Sequence, residues 1–113
     1  MSIIVTLNTA AKPPVTVSPN PYDVTSKGLS EITWAPASGQ TFKFVSLTPA
    51  NNPSVFSAPT VTDGAIYMND TNNNAGPAIG YQYTIVVSLN GVNYSSATTG
   101  IGGTGGAPVI RNR

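Results

Sequence analysis

Asp23, Glu31, Asp63 and Asp70 are the only carboxylates in this chain, and five Lys and Arg face them with no His and no Cys anywhere. Without His and Cys the usual zinc, copper, haem and iron–sulfur sites have no ligands, and thiol nucleophiles and His-based triads have no members. Carboxylates can still do chemistry. Two of them held about 5 to 10 Å apart in a cleft hydrolyse glycosidic bonds, one giving a proton and one acting as base or nucleophile. Each of the four has a plainer place in the sequence: Asp63 in a turn, Asp70 in an Asn-rich stretch, Glu31 on the solvent side of the strand carrying Trp34, Asp23 after a proline turn. The sequence is therefore read as non-enzymatic and without a cofactor.

Asp70-Thr71-Asn72-Asn73-Asn74 puts oxygen ligands at alternate positions, as a calcium loop begins. Ala75 then stands where the tight turn wants Gly, and Tyr81 where a bidentate Glu belongs. Asp70, Asn72 and Asn74 are thus the only weak candidates for a metal, and no metal site is assigned. Gly100-Ile101-Gly102-Gly103-Thr104-Gly105 spells G-x-G-x-x-G, but too few residues follow for the helix whose N-terminus would hold a pyrophosphate. A flexible Gly-rich connection, 100–106, before a last strand Ala107–Arg111 is expected instead. Asn69-Asp70-Thr71 and Asn93-Tyr94-Ser95 match the glycosylation acceptor pattern, which an Asn- and Thr-rich chain produces by chance. Arg111 and Arg113 make a basic tip too small to hold a nucleic acid, and a net charge of +1 supplies no basic face.

The elements that position these residues follow from a hydrophobic period of two. Tyr81-Gln82-Tyr83-Thr84-Ile85-Val86-Val87-Ser88-Leu89 alternates as a half-buried strand and runs into Asn90-Gly91, a strong type I′ hairpin signal. The two-residue turn pairs Leu89 with Val92, Val87 with Tyr94 and Ile85 with Ser96, and sends Ser88/Asn93 and Gln82/Thr99 to the other face. A second hairpin at Asp63-Gly64 pairs Val61 with Ile66. Short β-rich runs at Ser2–Leu7, Val15–Val17, Glu31–Trp34 and Thr41–Leu47 are punctuated by ten prolines. The expectation is one domain, 1–113, an immunoglobulin-like Greek-key β-sandwich of seven to nine strands, with a small closed barrel as the alternative. Its core would be Ile3 or Ile4, Val5, Leu7, Val15, Val17, Ile32, Trp34, Phe42, Phe44, Ile66, Met68, Tyr83, Ile85 and Val87, with Trp34 filling the space between sheets. Alternation breaks after Phe44, so either a bulge shifts the register or Val45 and Leu47 form a second apolar face.

The short N-terminal strand, the Pro-Asn-Pro turn within Val17–Val24, the strand bearing Trp34 and the ending Tyr81–Val87 followed by Ala107–Asn112 together resemble the bacterial DP-EP family. That resemblance covers nearly the whole chain and implies a small β-sandwich with no established activity and no functional residue to transfer. Asn20 and Ala107 stand before Pro21 and Pro108 where the family name implies an acidic residue.

Ser, Thr and Asn make up 36 of the 113 residues while only 8% are charged, against roughly 25% in ordinary domains. Low charge minimises repulsion between copies. A structural or interaction module follows as the first reading, self-assembling or bound to another protein, through Ile3 and Val5 if their strand is an edge rather than internal to the sheet, and through Val45 and Leu47 if they face outward. A carbohydrate-binding domain using Tyr67, Tyr81 or Tyr94 is the second. No run in this sequence reaches the roughly 18 apolar residues of a membrane span, and the first residues lack the pattern of a secretory signal.

Overall fold

A computed structural model describes residues 2–97 and 107–113. The strands are β1 (Ser2–Leu7), β2 (Val15–Ser18), β3 (Tyr22–Val24), β4 (Gly28–Pro36), β5 (Lys43–Pro49), β6 (Thr60–Val61), β7 (Ile66–Asn72), β8 (Ile79–Leu89), β9 (Val92–Ser95) and β10 (Val109–Asn112), and no helix occurs among the described residues. They form two sheets, β2-β1-β4-β7-β6 and β3-β10-β8-β5, with β9 also paired to β8. With β1 set aside, β2-β4-β7-β6 facing β10-β8-β5 is the ABED/GFC order of an immunoglobulin sandwich. β1 is an extra strand inserted parallel to β4 and antiparallel to β2. The Pro19-Asn20-Pro21 turn carries the chain from β2 in one sheet to β3 in the other, where β3 runs parallel to β10.

Strand alternation explains the core. Every second side chain of β7 is buried, the same alternation buries Ile32 and Trp34 on β4 and Tyr83, Ile85 and Val87 on β8, and Trp34 and Tyr83 meet in the middle. Ile3, not Ile4, is the inward residue of its pair; Leu7 and Val17 are only partly buried, and Val24, Leu47 and Ile110 complete the core. The register of β5 against β8 slips between Phe44 and Ser46. This bulge turns Val45 outward and returns Leu47 to the interior, so the second apolar face does not form.

Both expected hairpins are present, built by different turns. Asn90 and Gly91 take φ of 53° and 78°, and Leu89 pairs with Val92 and Val87 with Tyr94. Ser96 meets Ile85 twice, donating its N–H to the carbonyl and accepting the Ile85 N–H on its hydroxyl, both at 2.9 Å. At Asp63-Gly64 no left-handed residue is used. The Thr62 hydroxyl accepts the Ala65 N–H at 3.1 Å, and Val61 pairs with Ile66. Thr99, expected opposite Gln82, and the Gly100–Gly105 motif with its 100–106 connection lie outside the described residues. Gln82 instead faces Val109, so β9 and β10 are two stretches of one edge of β8.

Candidate functional site

The carboxylates are dispersed. Asp63 sits in its turn 3.9 Å from Lys43, both mostly in solvent. Asp23 and Glu31 do share a shallow groove of about 190 Å³ with Tyr22, Ser26 and Ser30. Asp23, however, is committed to Arg111, its cross-strand neighbour. The guanidinium donates from Nε to Oδ1 at 2.6 Å and from Nη2 to Oδ2 at 3.1 Å, and Arg113 stands 3.4 Å away. The hydrogen bond from Arg111 holds Asp23 below the usual carboxylate range. A carboxylate so held has no proton to give a leaving group.

Asp70, Asn72 and Asn74 do not form a calcium loop. Asp70 and Asn72 are strand residues of β7, buried on alternate inward positions. The carboxamide oxygens of Asn72 and Asn74 accept the backbone N–H groups of Asn74 and Gly76, both at 3.1 Å, so each serves its own local turn. The Asn72 amide nitrogen contacts three carbonyls, of Val24, Ser26 and Arg113. That of Asn74 bonds the carbonyls of Pro77 and Asn112, and the Lys27 ammonium bonds those of Asn74 and Arg113. These bonds close one end of the sandwich, where loops and strand ends from both sheets meet.

The three tyrosines do not share a face. Tyr67 is on the outer face of the first sheet, opposite Thr33 and Thr60. Tyr94 is half-buried against the core. Tyr81 packs edge to face on Phe56 at 5.2 Å and lines a cleft of about 490 Å³ with Asn51, Pro53 and Gln82.

The interaction residues expected at an edge also move. Ile3 and Val5 are fully buried and β1 lies between β2 and β4, because its backbone groups are already used by a partner on each side. Leu47 is buried by the bulge, and of the four only Val45 is exposed. The true outer strands are blunted. β6, β3, β2 and β9 have only two to four residues, Pro14 precedes β2 and Pro21 precedes β3, and β5 carries the bulge, each a known guard against strand addition.

What remains open is the outer face of the first sheet. Ser2, Ile4 and Thr6 on β1, Leu29, Glu31, Thr33 and Ala35 on β4, and Tyr67, Asn69 and Thr71 on β7 alternate with the core positions. Register sets them side by side, Ile4 beside Ala35, Thr33 beside Tyr67, Glu31 beside Asn69 and Leu29 beside Thr71. Glu31 is the only charged residue among them, and Leu29 is 71% exposed. The sequence reading missed Ile4 and Leu29; extending the alternation of Ile32 and Trp34 back to Leu29 would have found one. No protein-family model and no curated protein matches the chain.

Proposed function

We propose that this chain is a non-catalytic structural module that works by protein contact and packs against a second copy of itself through the outer face of its first sheet. The observation that carries this reading is that face: its three central strands bear one carboxylate, with Ile4, Leu29 and Tyr67 set among Ser and Thr hydroxyls. Hydroxyls both donate and accept, so two copies related by a two-fold axis can satisfy each other without matched charges. The central place of β1 and the guarded outer strands support face packing over strand addition. Sedimentation across a wide concentration range tests it. Mass should rise with concentration in the parent chain, and Tyr67→Glu or Ile4→Lys should abolish the rise. A strict monomer removes the proposal.

The Tyr81 cleft favours a second reading, a carbohydrate-binding domain, since an aromatic ring flanked by the amides of Asn51 and Gln82 is the equipment for stacking and hydrogen-bonding a sugar. Retardation in a polysaccharide gel, lost in Tyr81→Ala, tests it; free migration of the parent chain counts against it. The DP-EP resemblance agrees with either reading and adds no residue to them.

A further inference from the structure

Asp70 on β7 and Asn112 on β10 come from opposite sheets and are both buried. Asn112 Nδ2 donates to Asp70 Oδ1 at 3.0 Å. The other two side-chain oxygens, Asp70 Oδ2 and Asn112 Oδ1, are buried and have no hydrogen-bond partner among the described residues. Both orphans are acceptors, and they belong to the same two side chains. One hydrogen on Asp70 Oδ2 serves both, because the acid then donates O–H to the amide oxygen while the amide donates N–H to the acid carbonyl. We propose that Asp70 is protonated in the folded domain and that the Asp70–Asn112 pair is a one-proton latch between the two sheets, weakened when that proton leaves.

The surroundings fit a neutral acid. On the elements around the pair, Glu31 of β4 is exposed, and Arg111 and Arg113 at the end of β10 are on Asp23 of β3. Lys27 is on backbone carbonyls, the Tyr83 hydroxyl of β8 is on Trp34, and the Tyr81 ring of β8 is on Phe56. Among the described residues no cation pairs with Asp70, whose register partner on β4 is Ser30. Burial pushes the Asp70 carboxyl up, and the Asn112 N–H opposes this without cancelling it. A metal ion fits less well. Among the described residues the pair offers two unpartnered oxygens, against the roughly six to eight that calcium takes.

The sign of the effect is fixed. The unfolded chain ionises Asp70 near pH 4 while the folded chain keeps the proton. The folding constant then falls by up to about tenfold per pH unit from there to the raised folded value, and no further above it. Asp70→Asn supplies an N–H in place of the O–H and removes the titration. Urea unfolding of the full chain and of this variant, from about pH 4 to 8, compares the two with the Asp23 contribution common to both. The variant should gain on the parent as pH rises from about 4 toward the folded carboxyl's midpoint, and keep that gain above it. A carbon-13 titration of the Asp70 carboxyl in the parent chain needs no variant and should place its midpoint above the ordinary value near 4. A midpoint at or below that value overturns the proposal whatever the variant does. Equal pH slopes in the two chains overturn it, and so does a calcium-dependent rise in melting temperature, at constant ionic strength, that Asp70→Asn lacks.

Discussion

Trp34 and Tyr83 join the two sheets at the place where immunoglobulin domains put a disulfide, between the strands equivalent to β4 and β8. The indole Nε1–H donates to the Tyr83 hydroxyl at 3.0 Å, and the rings meet edge to face at 5.5 Å and 78°. Neither polar atom has water to fall back on, since both residues are buried. Burial is the main cause that drives the Tyr83 hydroxyl far above its ordinary ionisation range, so it stays a neutral acceptor. Tyr83→Phe keeps the ring and strands the indole N–H, which should cost about 1 to 3 kcal/mol. Trp34→Ala should cost about 3 to 5 kcal/mol, as large aromatic truncations do. Urea midpoints measure both. A double-mutant cycle should show that Tyr83→Phe costs little once Trp34 is Ala, because the stranded donor is gone. Equal costs in the two backgrounds would mean the bond contributes nothing.

Elements show how the same two-letter signal can be met by different physics. Asn90-Gly91 and Asp63-Gly64 both close hairpins in the expected register, yet only the first uses left-handed backbone. An added Cβ would meet no atom within 4 Å at either glycine, so the two substitutions report backbone conformation alone. Gly91→Ala, at a φ of 78°, should destabilise by about 1 kcal/mol. Gly64→Ala should be neutral or stabilise by up to about 1 kcal/mol, by removing freedom from the unfolded chain. Opposite signs in the urea midpoint check the pair. Alternation and turn chemistry are local, which is why the hairpins and the inward apolar positions of β4, β7 and β8 were legible in the sequence, while Asp70 and Asn72, expected in a polar loop, are inward residues of β7. The place of β1 was not. Ser2–Leu7 reads equally well as an edge or a central strand, and only the long-range pairing to β4 and β2 decides between them. Nor was the Asp70–Asn112 pair legible, because two inward polar residues on strands 42 apart in sequence carry no local signal that they meet. Leu47 was missed as core for a related reason, since a bulge adds one residue and inverts every side chain after it.

At the scale of the whole molecule, a cluster of charge and the nearly uncharged outer face of the first sheet lie in different places. Lys27, Asp23, Arg111 and Arg113 gather where β3 and β10 end and β4 begins, while the outer face of the first sheet bears Glu31 alone among Ile4, Leu29, Tyr67 and hydroxyls. Two copies meeting on that face bring together apolar surface and neutral hydrogen-bonding groups, whose attraction ordinary salt scarcely alters. Two copies meeting through the Arg-rich end would depend on ion pairs, and a Debye length that shrinks from about 30 Å at 0.01 M to about 10 Å at 0.1 M weakens such contacts steeply. The self-association constant from sedimentation should therefore stay nearly constant as sodium chloride is raised over that range, and should rise with sulfate, which strengthens burial of apolar surface. Glu31→Gln should leave it unchanged or tighten it, because the substitution removes the one like charge the two faces share. Association that collapses as sodium chloride rises, and that survives Tyr67→Glu, would place the contact at the charged end and leave the sheet face unoccupied.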